Sequence, residues 1–298
     1  MPNPRFMQTA GRWMNRDLPV ERVAEPEETA ELEPAIFSID DILNGETFYS
    51  DKKDGNNYVG LPIALQEALK HSREDGMVAT MPELIAAKAK ADKSHEFWKK
   101  WYTVHTEENI GIDKKGRFYT RNEPVLIIVN GGGILTPDRI RQAYNEGLVN
   151  HSAKYTEDEF NGLLEGKLPD GSSLALYPYE DIEKGVSNLL HRFGIVMPYQ
   201  TAKETSSGYH KKRGFLENPL AIARNGGREN LEGYYEKARN EKGDLGNWHV
   251  YGKDRDPTVP QGRLLFLSID YGGLYGNNNL DNNGWFVGVA PEARSARN

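Results

Sequence analysis

The chain has 298 residues, 38% apolar and 27% charged, with a net charge of −7 and no cysteine. That length is enough for a substantial core. The absence of cysteine excludes disulfides, thiolate metal sites, iron–sulfur clusters and cysteine nucleophiles. The acidity argues against a general nucleic-acid binder, which carries a basic footprint.

No run approaches the roughly 18 apolar residues of a membrane helix. The N-terminus also lacks the basic-then-apolar pattern of a secretory signal, which leaves the cytoplasm as the default location.

Residues 1–34 differ from the rest. Four arginines (Arg5, Arg12, Arg16, Arg22) precede the acidic, proline-bounded stretch Glu25–Pro34. So little apolar surface predicts an arm outside the globular part, either mobile or wrapped on a partner through Phe6, Trp13 and Met14. Residues 35–298 are expected to form a single domain.

Helices come first in that domain. Asp40–Leu43 predicts a short turn ended by Asn44-Gly45, and Pro62 to about Arg73 has apolar residues at helical spacing. Thr80 is placed to cap a helix carrying Leu84, Ile85, Ala87 and Ala91. Ser94 is placed to cap another that runs through Phe97, Trp98, Trp101 and Tyr102.

The period changes at Gly116. Arg117–Thr120 and Val125–Val129 read as paired strands. Two helices follow, about Thr136–Glu146 and Thr156–Glu165, each with a threonine cap, an acidic first turn and a glycine just past its end. Pro169-Asp170-Gly171 marks a turn before a strand at Ser173–Tyr177.

Residues 182–198 predict a short helix and a strand at Gly194–Met197, and residues 203–214 predict a long loop. Leu216–Arg224 and Glu229–Glu241 read as helices. Trp248–Tyr251, Leu264–Asp270 and Trp285–Val289 read as strands. The last two are joined by a Gly/Asn-rich segment, which favours antiparallel pairing between them.

Strands and helices do not alternate strictly, so the fold class is α+β. The expectation is a mixed or mostly antiparallel sheet with helices against one side, helical at its start and β-rich at its end.

The leading candidate site is Asn130-Gly131-Gly132-Gly133 between a buried strand and the helix capped by Thr136. Glycine amides near a helix start can hold a phosphate or carboxylate, although neither the P-loop nor the dinucleotide fingerprint is present. The second candidate is Ser206–Gly214, where His210 can carry a proton and Arg213 offers a forked donor.

The third is Asp270–Gly284, rich in asparagine and glycine. Asn279, Asp281, Asn283 and Gly284 fit the start of a calcium loop, but Ala290 stands where its bidentate glutamate belongs. Turn chemistry explains the segment without a metal.

These features point to a small-molecule-binding protein for an anionic, phosphate- or carboxylate-bearing ligand. Asn130, Gly131, Gly132, Gly133, Thr136 and Arg213 would hold the anion, and His210 and Asp270 would handle a proton if it is an enzyme. The sequence names no cofactor and no metal. The alternative is a non-catalytic interaction or assembly subunit that uses the N-terminal arm and the 15 tyrosines and 5 tryptophans, with a homo-oligomer as one outcome.

Overall fold

Val125-Leu126-Ile127-Ile128-Val129 is fully buried along its length, as an unalternating apolar run requires. The computed structural model describes residues 37–55, 57–186, 189–251, 255–268, 273–276 and 280–295. The arm predicted over residues 1–34 lies outside them, as does Asp270.

Fourteen strands are described: β1 (Glu46–Phe48), β2 (Lys53–Asp54), β3 (Asn57–Tyr58), β4 (Met77–Val78), β5 (Tyr102–Asp113), β6 (Glu123–Asn130), β7 (Ala153–Lys154), β8 (Ala175–Pro178), β9 (Phe193–Pro198), β10 (Gly208–His210), β11 (Leu245–His249), β12 (Gln261–Leu267), β13 (Leu274–Gly276) and β14 (Phe286–Val289). The helices are α1 (Ile39–Leu43), α2 (Leu61–Ser72), α3 (Met81–Lys90), α4 (Pro137–Glu146), α5 (Glu157–Leu164), α6 (Tyr179–Glu183), α7 (Tyr199–Glu204), α8 (Lys212–Leu216), α9 (Pro219–Arg224), α10 (Leu231–Ala238) and α11 (Glu292–Ser295).

The fold is α+β. The main sheet runs β10-β11-β13-β12-β5-β6-β9-β8, with β7 beside β12. Its pairings are antiparallel except β11 with β13 and β8 with β9. A smaller antiparallel sheet, β1-β14-β4, uses the strand at the chain's end. The segment after β12 therefore returns as β13, and β14 does not pair with β12 as the sequence led us to expect.

Helices cover both faces of the central strands, not one. Leu126 and Ile128 point to a core built with Leu84, Ile85, Leu220, Ile222, Leu231 and Tyr234, from α3, α9 and α10. Val125, Ile127 and Val129 point to a second core with Leu61, Leu65, Ile140, Phe160 and Leu163, from α2, α4 and α5. The alternation is the ordinary two-face period of a strand, hidden in sequence because both faces are apolar.

Strand β5 departs most from expectation. Trp101 and Tyr102 do not continue a helix. His95 caps only a 3₁₀ turn, Glu96–Trp98, and the chain then extends for twelve residues. The strand predicted at Arg117–Thr120 is a carboxylate-centred loop instead. The Asp113 side chain accepts from the amides of Lys115, Gly116, Arg117 and Phe118 at 3.2, 2.8, 2.7 and 3.1 Å.

The predicted 203–214 loop is itself structured, containing β10 and the start of α8. The short helix expected after residue 182 comes earlier, as α6.

Candidate functional site

The glycine loop is an anion nest, and its anion is internal. Glu107 on β5 accepts from the amides of Gly133, Ile134 and Leu135 at 2.9, 3.1 and 2.8 Å. A Cβ on Gly133 would sit 2.7 Å from that carboxylate, and one on Gly132 (φ +90°) would sit 2.6 Å from the His105 ring. Those glycines let the backbone close down on β5. Burial raises the Glu107 pKa to about 7, and the three amides only partly counter it.

The flanking residues serve the same junction. Asn130 accepts at its side-chain oxygen from the Thr106 hydroxyl at 2.8 Å, and that hydroxyl accepts from the amide of Met81 at 2.8 Å. Thr136 is the N-cap of α4 and accepts from the amide of Arg139 at 3.2 Å.

His210 and Arg213 lie elsewhere. His210 is on β10, at the edge of the sheet and five strand positions from β6. At about 4.8 Å per strand that is roughly 24 Å. Burial lowers the His210 pKa. The Arg213 side chain is 87% exposed and its Nε pairs with Glu217, one helical turn on, at 3.0 and 3.1 Å. The glycine loop and the His210–Arg213 pair are thus not brought together.

What the structure does bring together is aromatic. Tyr209, Trp248, Tyr275 and Phe266 lie on consecutive strands β10, β11, β13 and β12. The registers Tyr209↔Gly246, Trp248↔Tyr275 and Tyr275↔Phe266 put all four on one face. Trp248 meets Tyr209 edge-on at 5.3 Å between ring centroids and stacks with Tyr275 at 6.1 Å, and Phe266 stacks with Trp101 at 5.7 Å.

Asn247, next to Trp248, points the other way and donates to the Asn218 cap of α9 at 2.6 Å. The aromatic row therefore faces away from α9. Tyr209 is 47% exposed, and Trp248, Tyr275 and Trp101 are each partly exposed.

Beyond Trp101 the surface continues into the loop before β14. Trp285 stacks on Tyr49 at 4.7 Å beneath the Lys100 ammonium, and Asn283 donates to the Tyr49 hydroxyl at 2.6 Å. On the far side of that loop Asp281 meets His151 at 3.1 Å. The pair lines a cleft of about 520 Å³ with Asp54, Tyr58 and Tyr144. Asn150 and His151 both hold left-handed backbone there, φ +48° and +61°, a conformation that costs energy in residues with a Cβ.

Sequence reasoning counted tyrosines and tryptophans without placing them. The signal that could have done so is the odd-even spacing of Gly246 and Trp248 and of Gly273 and Tyr275, where each glycine leaves room for the ring two residues on. Glu107 was missed because β5 was not recognised as a strand.

No family model and no curated protein matches the sequence. A solved structure does, described as "Accommodation of massive sequence variation in Nanoarchaeota by the C-type lectin fold". The similarity covers 82% of this chain and 97% of that one, at 27% identity and a TM-score of 0.59. The architecture is C-type-lectin-like. No described helix is long and apolar enough to cross a membrane.

Proposed function

We propose that the protein is a binding module that recognises another protein, and that the aromatic row lies on its recognition face. The observation that carries this reading is the row itself: Tyr209, Trp248 and Tyr275 on three adjacent strands, partly exposed and outside both hydrophobic cores.

Residues 270–285, Asp-Tyr-Gly-Gly-Leu-Tyr-Gly-Asn-Asn-Asn-Leu-Asp-Asn-Asn-Gly-Trp, have the composition of a binding loop. Tyrosine and tryptophan supply large contact area at low entropic cost, while asparagine and glycine supply adaptable hydrogen bonds. A row of partly exposed rings crossing three strands, with none of the described pockets lined by them, suits a protein surface better than a small ligand. The solved relative is described as accommodating massive sequence variation on this fold. A frame whose stability resides elsewhere leaves such a face free to differ.

An anionic small-molecule ligand at the glycine loop is the weaker reading, because the amides of Gly133, Ile134 and Leu135 already meet Glu107.

The test places a photo-crosslinking amino acid at position 209 and, as a control, at exposed position 74, and exposes both proteins to extract of the native host. A discrete protein adduct at 209, absent at 74 and lost in Trp248→Ser/Tyr275→Ser, is expected. Adducts of the same pattern at both positions, or capture that survives the double substitution, would overturn the reading.

A further inference from the structure

A buried arginine cluster lies on the α9 side of the sheet, away from the aromatic face. Arg224, Arg255 and Arg263 are each at most 1% exposed, and they surround one fully buried carboxylate, Glu108 on β5. Arg224 Nε donates to Glu108 Oε1 at 2.8 Å, and the Tyr251 hydroxyl donates to Oε2. Arg224 Nη1 is taken by the Asn247 side-chain oxygen and the Leu274 carbonyl.

Arg255 has far less. Among the described residues, its Nη2 reaches the Glu108 main-chain carbonyl, at 3.4 Å, and its Nη1 lies 3.8 Å from Oε2. Among the described residues, Nε and Nη1 of Arg255 and Nη2 of Arg224 have no hydrogen-bond acceptor. Arg263 hydrogen-bonds the neutral oxygens of Ser152 and Asn150, both at 3.1 Å.

Two observations converge. Among the described residues of the cluster, Arg224 and Arg255 face a single carboxylate, so positive charge is in excess where water is excluded. The donors left over are all guanidinium N–H groups on those same two residues. A buried charge is tolerated when it is paired, and a buried donor when it finds an acceptor. One small anion satisfies both requirements.

We propose that Arg224 and Arg255 hold a monovalent inorganic anion of chloride size, with Arg255 as its principal ligand. A large organic anion does not fit so enclosed a setting. The site is separate from the recognition face proposed above and does not depend on it.

The experiment measures thermal unfolding of the whole chain in sodium chloride, bromide and gluconate at one fixed ionic strength. It is paired with anomalous diffraction from crystals grown in bromide. A saturable rise in midpoint with either halide but not gluconate is expected, together with a bromide peak in hydrogen-bond reach of Arg255 Nε and Arg224 Nη2. Arg255→Met is expected to remove the halide dependence.

If Arg255→Met does not fold, the wild-type bromide map still decides. Equal midpoints in all three salts, or ordered water and no bromide beside Arg255, would overturn the proposal.

Discussion

Glu107 and Glu108 are neighbours on one strand, equally buried, and they live in opposite worlds. Glu107 faces α4 and meets backbone amides and the Asn109 side chain, with no cation beside it among the described residues. Glu108 faces α9 and meets guanidinium groups. Burial pushes both pKa values up, but for Glu108 Arg224 and Arg255 outweigh it and the net shift is downward. For Glu107 the amides do not suffice, and the value rises to about 7. Partial dipoles alone do not replace a full counter-charge when water is gone.

The largest effect should come from breaking the arginine side. Glu108→Ala leaves Arg224 and Arg255 without a carboxylate in a setting with no solvent, and losing one partner of a buried pair costs about 3–5 kcal/mol. Urea unfolding should show that loss or outright failure to fold. A midpoint close to wild type would mean that the cluster's cations are neutralised by something other than Glu108.

On the other side, Glu107→Ala strands three amides, and roughly 3 kcal/mol is expected if one or two of them find no replacement acceptor. Glu107→Gln keeps an acceptor and separates charge from hydrogen bonding. Because the folded-state pKa of Glu107 lies above its unfolded value, the folded protein retains the proton longer. Its contribution is complete below the unfolded pKa of about 4.5 and is lost as pH rises through about 7.

Over that window wild type should lose roughly 3 kcal/mol relative to Glu107→Gln. Parallel stability curves for the two proteins between pH 4.5 and 7.5 would show that the carboxylate is ionised throughout. For Glu108 the sign reverses: its contribution is present above its unfolded pKa and is lost as pH falls.

The glycine loop itself offers a smaller perturbation. Gly132→Val places a branched side chain at φ +90° and against the His105 ring, which should cost about 2 kcal/mol or more by strain and overlap. Calorimetry should register it as a lower midpoint with the fold retained. An unchanged midpoint would show that β5 and the loop move apart freely, contrary to a nest closed on Glu107.

The sequence showed part of this comparison and concealed the rest for physical reasons. Val125–Val129, the threonine caps of α4 and α5, and the α+β class were legible, because short-range chemistry dictates them. The glycine turn between β6 and α4 was legible, but the carboxyl group that meets the amides of Gly133, Ile134 and Leu135 was not. Glu107 is 26 residues from Gly133 and lies on a strand whose polar residues mask its period.

Twelve residues reading Tyr-Thr-Val-His-Thr-Glu-Glu-Asn-Ile-Gly-Ile-Asp look like surface. They are buried because arginines from three distant segments and backbone from a fourth come to meet them. Pairing across such distances leaves no local trace.

The aromatic face should respond least of all in stability, and that separates it from both carboxylates. Tyr209 is 47% exposed on an edge strand and meets Trp248, itself partly exposed, edge-on. Tyr209→Ser removes little buried apolar area, so unfolding should stay within about 0.5–1 kcal/mol of wild type. The same substitution deletes the end of the aromatic row and should weaken partner binding, since exposed aromatic anchors dominate protein interfaces. Loss of binding with stability intact would place recognition on this face and stability in β5. A large stability loss with binding retained would reverse that division and make the row an extension of the core.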